Sequence, residues 1–415
     1  MSTVVMKFGG TSVADAEKIR AAAKRAIRTQ KAGNRVVMVV SAMGKSTDGL
    51  VALAEDVMGD KPAPKREMDQ LLATGEQVTI SLMAMALEAM GASAISFTAG
   101  QIGIVTDDAH TKARIHRIDA KRITEQLDAG RIVIVAGFQG VTEAGHVTTL
   151  GRGGSNVTLV AVAASIGADV CENYTDVDGV YTADPRIVPN ARKIERISYD
   201  EMLELASLGA GVLHNRAVEF AKKYDVPIHV RNSGNNRKGT MIVSETDSME
   251  RIVVSGTALK DKLARVTLRN VPDHPGTAAR VFHTLATHHI VVDDIIQTIG
   301  ADGTATVSFT VELTDLPDAK GVIGRLCAQL GSAVVYEDHL AKVSAVGVGM
   351  RVHTGVAERM FEALAKAKIN IQNITTSEIK ISCLIDQKDG RRALQVVHDA
   401  FGLGGKPRKR AARKK

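Results

Sequence analysis

The stretch LGRGGSNVTL, residues 150–159, sets three glycines and Arg152 between an apolar strand-like run and an apolar helix-like run. Glycine lets backbone N–H groups approach an anion closely, and a guanidinium can clamp a carboxylate or a phosphate. A second such arrangement, MKFGGTSV at residues 6–13, puts Lys7 at a strand end with Gly9 and Gly10 ahead of a helix N-terminus. There a phosphate would meet free N–H groups, the helix dipole and the Lys7 ammonium together. A tight turn with an incidental lysine is the plain alternative. SAMGKSTD, residues 41–48, resembles a Walker loop, but the required glycine five positions before Gly44 is Val39, inside a strand. The Walker reading fails, yet a polar loop at the carboxyl end of a strand is still where an α/β sheet binds its ligand. Glu76 opens a long helix after ATG, where satisfying the helix dipole competes with gripping a ligand. YTDVDGVYTADPR, residues 174–186, gathers Asp176, Asp178 and Asp184 after an apolar run. Those acids could orient Mg²⁺ or nucleotide hydroxyls, or simply cap turns.

These loops need strands and helices to hold them. STVVMKF reads as the first strand, with a helix from about Val13 to Gln30 that a Ser12/Asp15 capping box opens and Gly33 closes. Continuous apolar runs at 35–42, 93–98 and 131–138 suit strands covered on both faces, and 75–91 reads as a buried helix. The pattern predicts an α/β domain over residues 1–245, doubly wound around a mainly parallel sheet. A linker at about 244–252 follows, and then the chain repeats itself. Phe282 recurs as Phe361 and Ile295 as Ile374, each 79 residues on (361 − 282, 374 − 295). Each copy reads strand, glycine turn, helix, strand, which predicts two ferredoxin-like βαββαβ modules at 263–335 and 341–403, ahead of a basic tail at 404–415.

The bulk numbers bound the rest. A chain of 415 residues predicts two or three domains. No apolar run approaches the roughly 20 residues of a membrane span, and MSTVVMKFGG has no signal-peptide pattern. Cys171, Cys327 and Cys383 are scattered and in no metal spacing, so a reducing cytoplasm is expected and no protein metal site. The net charge of +7 belongs to the last ten residues, which hold seven Lys or Arg; 53 − 7 leaves 46 basic residues against 46 acidic ones. A solvated tail is the expectation. Nucleic-acid binding is disfavoured by an aromatic content of 3% with no Trp.

Taken in order, KFGGTSV, SAMGKSTD, TGEQV, GRGGS, TDVDGVYTADPR and LASLGA resemble the aspartate kinases of the amino-acid kinase family. The repeats, with VPDHPG, VGVGM and NITTSEIKIS, resemble that family's paired ACT modules, so the likeness covers about residues 3–403. It implies ATP- and Mg²⁺-dependent phosphorylation of the L-aspartate side-chain carboxylate, the opening step of lysine, threonine and methionine biosynthesis. By the resemblance Lys7 and Arg152 are catalytic, and Lys7, Phe8, Gly9 and Gly10 hold the phosphoryl group. Thr175, Asp176, Tyr181, Asp184, Pro185 and Arg186 hold the nucleotide. Thr47, Glu76, Arg152, Gly153, Gly154 and Ser155 hold aspartate, Glu76 taking its ammonium. The ACT modules imply feedback by lysine or threonine, with Asp273, Pro275, Gly276, Asn370, Ile371 and Gln372 as candidate effector residues. They also imply a homo-oligomer paired through ACT modules, or an assembly with a separate ACT-only subunit. Departures stand beside the likeness. The family usually has Asp at the position of Asn156 and Lys at that of Gly211, and it tends to Asn at Val291. Asn156 is expected to accept a weaker bond from Lys7, and the paired loss fits either a slowed kinase or a regulatory relative that turns over little.

Overall fold

Apolar runs bounded by glycine and polar turns become a layered α/β unit and an antiparallel one in a computed structural model. It describes residues 1–209, 212–244, 253–300, 303–353 and 355–405. Gly211 and the tail from Lys406 lie outside the described residues. Contacts divide the chain into two units. One takes Met1–Tyr181, Lys193–Ser207 and the described part of Gly211–Ser248; the other takes Thr182–Arg192 and the described part of what remains.

In the first unit β1 (Thr3–Phe8) leads to α1 (Ala16–Lys31) and β2 (Arg35–Val40). Then come α2 (Ser46–Met58), α3 (Lys65–Ala89) and β3 (Ala94–Phe97). β4 (Val105–Thr106), β5 (Ile115–Arg117), α4 (Lys121–Asp128) and β6 (Ile132–Ala136) precede the hairpin of β7 (Gln139–Val141) and β8 (Val147–Thr149). α5 (Gly154–Ser165), β9 (Val170–Thr175), β10 (Arg196–Ser198), α6 (Tyr199–Ser207), α7 (Asn215–Tyr224), β11 (Ile228–Asn232) and β12 (Thr240–Val243) follow. Eight strands form one sheet in the order β10-β12-β11-β9-β1-β2-β6-β3. Its pairings are parallel apart from β11 with β12, as the apolar runs predict.

Both faces are covered because alternate residues of each strand serve different helices. Val4, Met6 and Phe8 pack with Val36, Met38 and Val40 against Ile19 and Ala23 of α1 and Met83 and Leu87 of α3. Each such large side chain contributes about 1.5–3 kcal/mol on burial. Val5 and Val37 point the other way, toward the side where α5 packs on β1, β2 and β9. Lys7 shares the parity of Val5, so it emerges on the α5 face.

Two helix starts differ from expectation. α1 is capped by Asp15, whose carboxylate accepts from the Lys18 N–H at 2.9 Å. Ser12 instead ends a 3-10 turn and donates to Ser233 Oγ at 2.9 Å, so the capping box does not form. α3 begins at Lys65, so Glu76 lies mid-helix and the first-turn dipole explanation for it falls away.

The second unit carries β13 (Gly256–Pro272), α8 (Thr277–Thr287), β14 (Asp293–Ile299), β15 (Thr304–Glu312), α9 (Leu316–Leu330) and β16 (Ala333–Val346). α10 (Val356–Lys366), β17 (Asn373–Ser377), β18 (Lys380–Asp386) and α11 (Gly390–Ala400) complete it. Its strands form one antiparallel sheet, β14-β15-β13-β16-β18-β17. The first module is βαββαβ. The second departs from that order: no strand follows α11, and its missing edge is the start of β13, Gly256 to Lys260, paired with Val346 to Lys342. The two repeats therefore share β13 and β16 and one sheet.

Among the described residues no helix is long and apolar enough to cross a membrane. The three cysteines are free and buried.

Candidate active site

The carboxyl ends of β1, β2, β6 and β9 meet at one place, and the predicted loops gather there. The turn after β1 packs on the turn after β2, where the Gly44 N–H donates to the Gly10 carbonyl at 3.0 Å. The Gly9 N–H reaches the Tyr174 carbonyl at the end of β9. Ser41, after β2, donates to Ser155 Oγ in the first turn of α5 at 2.9 Å. Thr47 sits in the first turn of α2 beside these loops. Lys7, Gly9, Gly10, Thr47, Ser155 and Thr175 are thus brought to neighbouring loops, as the motifs imply. Phe8 is different: its side chain lies in the core, 1% exposed, with its ring stacked on Tyr174 at 4.7 Å. Only its backbone faces the site.

α3 delivers Glu76 to this place because of Gly75. A Cβ there would stand 2.8 Å from the Ala42 Cβ, so only glycine lets the helix approach the turn after β2 so closely. Glu76 is 2% exposed and accepts from the Ala42 N–H at 3.0 Å through Oε1. Its Oε2 is buried with no partner among the described residues. Burial pushes the carboxyl up to about 7, partly offset by the Ala42 bond. When ionised, a buried carboxylate with one spare oxygen is able to receive a cation.

Lys7 is partly exposed, and among the described residues it has no ion pair; burial draws its ammonium down to about 8. The expected Asn156 bond to Lys7 is absent: Asn156 Oδ1 is buried without a partner among the described residues. Asn173, in register with Lys7 on β9, is in the same condition at its Oδ1. A carboxylate at 156 would bring a buried negative charge that the amide does not.

Arg152 stands exposed at the tip of the glycine loop, with no ion pair among the described residues. Gly153 caps α5 at φ 72°, a conformation that favours glycine, and a Cβ there would fall 2.4 Å from the His214 Cβ. His214 caps α7, and burial followed by the neighbouring Arg216 charge lowers its pKa, so it is neutral at pH 7 and does not replace a lysine.

Thr175 Oγ1 donates to Asp176, and Asn232 holds the Asp176 carbonyl and the Asp178 carboxylate. Tyr181 bridges to Lys193. Asp184, Pro185 and Arg186 fall in the second unit, where the Arg186 guanidinium forks onto Asp184. Of the effector candidates, Gln372 lines a cavity of about 140 Å³ with Arg265, Asp294 and Thr310. Asp273, Pro275 and Gly276 form the turn before α8, and Asn370 and Ile371 precede β17; none of them lines that cavity. Ser41, Asn173, Asp69 and Arg216 also shape the site. Ser41 opens the SAMGKSTD stretch, but no short motif marks Asn173, Asp69 or Arg216, because each acts through a partner far away in sequence.

The chain matches the amino acid kinase family over residues 2–232 and an ACT domain twice, at 266–331 and 343–401. It is 52% identical over 403 residues to an aspartokinase of Geobacillus stearothermophilus, covering 97% of this chain and 98% of that one. Aspartokinase III of E. coli, solved with aspartate and ADP in its R-state, superposes with a TM-score of 0.82 at 26% identity, over 96% of this chain and 99% of that one. The same enzyme solved with lysine and aspartate in its T-state gives 0.74 at 27%, over the same shares.

Proposed function

The chain belongs to the amino acid kinase family and acts as an ATP-dependent aspartate kinase under allosteric control, and we propose that Arg152 and Glu76 hold aspartate while Lys7 and the Gly9–Gly10 backbone hold the transferring phosphoryl group. The partnerless Glu76 Oε2 carries this reading. It offers a buried anion to the substrate ammonium, at the point where an α-amino acid must be told apart from a plain dicarboxylate. Thr47, Gly153, Gly154 and Ser155 surround the rest of the amino acid. Arg152 takes a carboxylate from the solvent side, where a guanidinium binds bidentately. Phosphoryl transfer asks the protein mainly to align two anions and neutralise their charge. Lys7 and the N–H groups after β1 do that for the phosphates, and Thr175, Asp176 and Tyr181 receive the nucleoside. The product is 4-phospho-L-aspartate, an acyl phosphate.

Among the described residues no group of three metal-ligating side chains exists. Mg²⁺ would be carried by the ATP phosphates, with Asp176 as a carboxylate beside the Thr175 turn that could assist. When bound, the ion neutralises phosphate charge. The shared ACT sheet binds an amino-acid effector, lysine or threonine, at the cavity that Gln372 lines, and pairs with a second copy. Free buried thiols and dependence on ATP suit a cytoplasmic enzyme.

Asn156 and Gly211 make it a slow member of its family. A coupled assay with ATP, Mg²⁺ and aspartate should show modest turnover that lysine or threonine suppresses. Intact ATP binding without any turnover would overturn the reading.

A further inference from the structure

Two charged side chains that the reaction does not touch hold the loop of Arg152 from opposite sides. Asp69 of α3 is fully buried; it accepts from Thr149 Oγ1 at 2.5 Å and from the Thr111 N–H at 3.0 Å, and lies 2.7 Å from His110 Nδ1. Arg216 of α7 donates through Nη1 to the Leu150 carbonyl at 2.7 Å and through Nη2 to the Ala113 carbonyl at 3.1 Å. Thr149 and Leu150 are the residues just before Gly151 and Arg152. Thr111 and Ala113 belong to the single loop between β4 and β5, and the Ala113 N–H donates to the Thr149 carbonyl at 2.9 Å. One anion and one cation therefore staple the same two segments together, with a backbone bond between them. His214, two residues before Arg216, closes the far side of the loop against Gly153.

A turn this rich in glycine has little stiffness of its own, and the long side chain of Arg152 magnifies any tilt of its backbone. Fixing Thr149 and Leu150 sets where the guanidinium can reach. The Arg216 fork reaches the two carbonyls through two separate nitrogens held in one rigid plane, a geometry that the compact ammonium of a lysine does not reproduce. We infer that Arg216 and Asp69 are positioning residues that set the reach of Arg152 for the aspartate carboxylate, an inference resting on the assignment of Arg152 to aspartate above.

The test compares Arg216→Lys, Thr149→Val and Arg152→Ala in the full-length enzyme, with steady-state kinetics for both substrates and thermal melts. Thr149→Val removes only the hydroxyl held by Asp69 at nearly constant volume, so it keeps the test open if Arg216→Lys folds poorly. The expected result is a KM for aspartate raised about tenfold or more, a KM for ATP within about twofold, and a melting temperature close to that of the parent. In a fourth variant, Arg216→Ala, free guanidinium ion should partly restore the aspartate KM. A folded Arg216→Lys and Thr149→Val with unchanged aspartate KM, beside an Arg152→Ala that is weakened, would overturn the positioning role alone. Parallel rises in both KM values would also overturn it. An Arg152→Ala enzyme with unchanged aspartate KM would overturn the aspartate assignment, and the positioning role with it.

Discussion

Glu76 and Lys7 show how burial tunes single groups when the partner is missing. The folded pKa of Glu76, about 7, lies above the ordinary 4.5. Its ionised form therefore weakens the fold above pH 7, and the effect disappears below about pH 4.5. Glu76→Gln keeps an acceptor for the Ala42 N–H, so it should stabilise the protein at pH 8 by about 3 kcal/mol in urea melts while raising the KM for aspartate severely. In the parent, the aspartate KM should climb as pH drops through 7, because a protonated Glu76 no longer attracts an ammonium. Lys7, drawn down to about 8 by burial, should lose its proton and its hold on phosphate above that pH. Asn156→Asp supplies an opposite charge, so it should move the alkaline limb of kcat/KM for ATP upward by a pH unit or more. Combined with Gly211→Lys it should raise kcat by roughly 10²- to 10³-fold; an unchanged rate would show that these two positions do not limit turnover.

At the scale of elements, β9 carries a charged knot that fixes the glycine turn after β1. Glu172 accepts from Tyr174 Oη at 2.6 Å and from Arg231 at 2.7 Å, and His229 approaches it. Burial opposes its charge, but the His229, Tyr174 and Arg231 bonds outweigh burial and hold the carboxyl down to about 2. Tyr174 in turn stacks on Phe8, lies under Arg25 at 4.7 Å, and accepts the Gly9 N–H through its carbonyl. The stability from Glu172 is present above about pH 4.5 and is lost as pH falls toward 2. Glu172→Gln should therefore cost about 3 kcal/mol at pH 7 in urea melts, and the difference from the parent should shrink at pH 3. The helix starts teach a related lesson. Ser12 looked like a cap by spacing alone, but Ser233, 221 positions later, claimed its hydroxyl.

At the scale of the whole molecule, each unit has its own core, and the second is one sheet built from two repeats. Lys342 of β16 is 2% exposed and bonds to Asp293 and Asp294, while Thr375 of the other repeat donates to Asp294 at 3.1 Å. Lys342→Met leaves Asp294 buried and uncompensated, at a cost of about 3–5 kcal/mol. Hydrogen exchange should then show β14 and β17 losing protection together; loss in one repeat alone would contradict a single cooperative sheet. The sequence by itself determined what is local or periodic. Apolar runs specified buried parallel strands, glycines beside Lys7 and Arg152 specified tight turns at strand ends, and the 79-residue echo specified a duplicated module. Tertiary structure decided whatever depends on partners far apart in the chain. It placed Glu76 mid-helix with Gly75 against Ala42, left Asn156 Oδ1 without the Lys7 bond, gave the second repeat its strand from before the first, and set Asp69 and Arg216 on the arginine loop. The reason is physical: spacing encodes the face and the turn, but a hydrogen bond or a close approach between distant segments exists only once the sheet has ordered them.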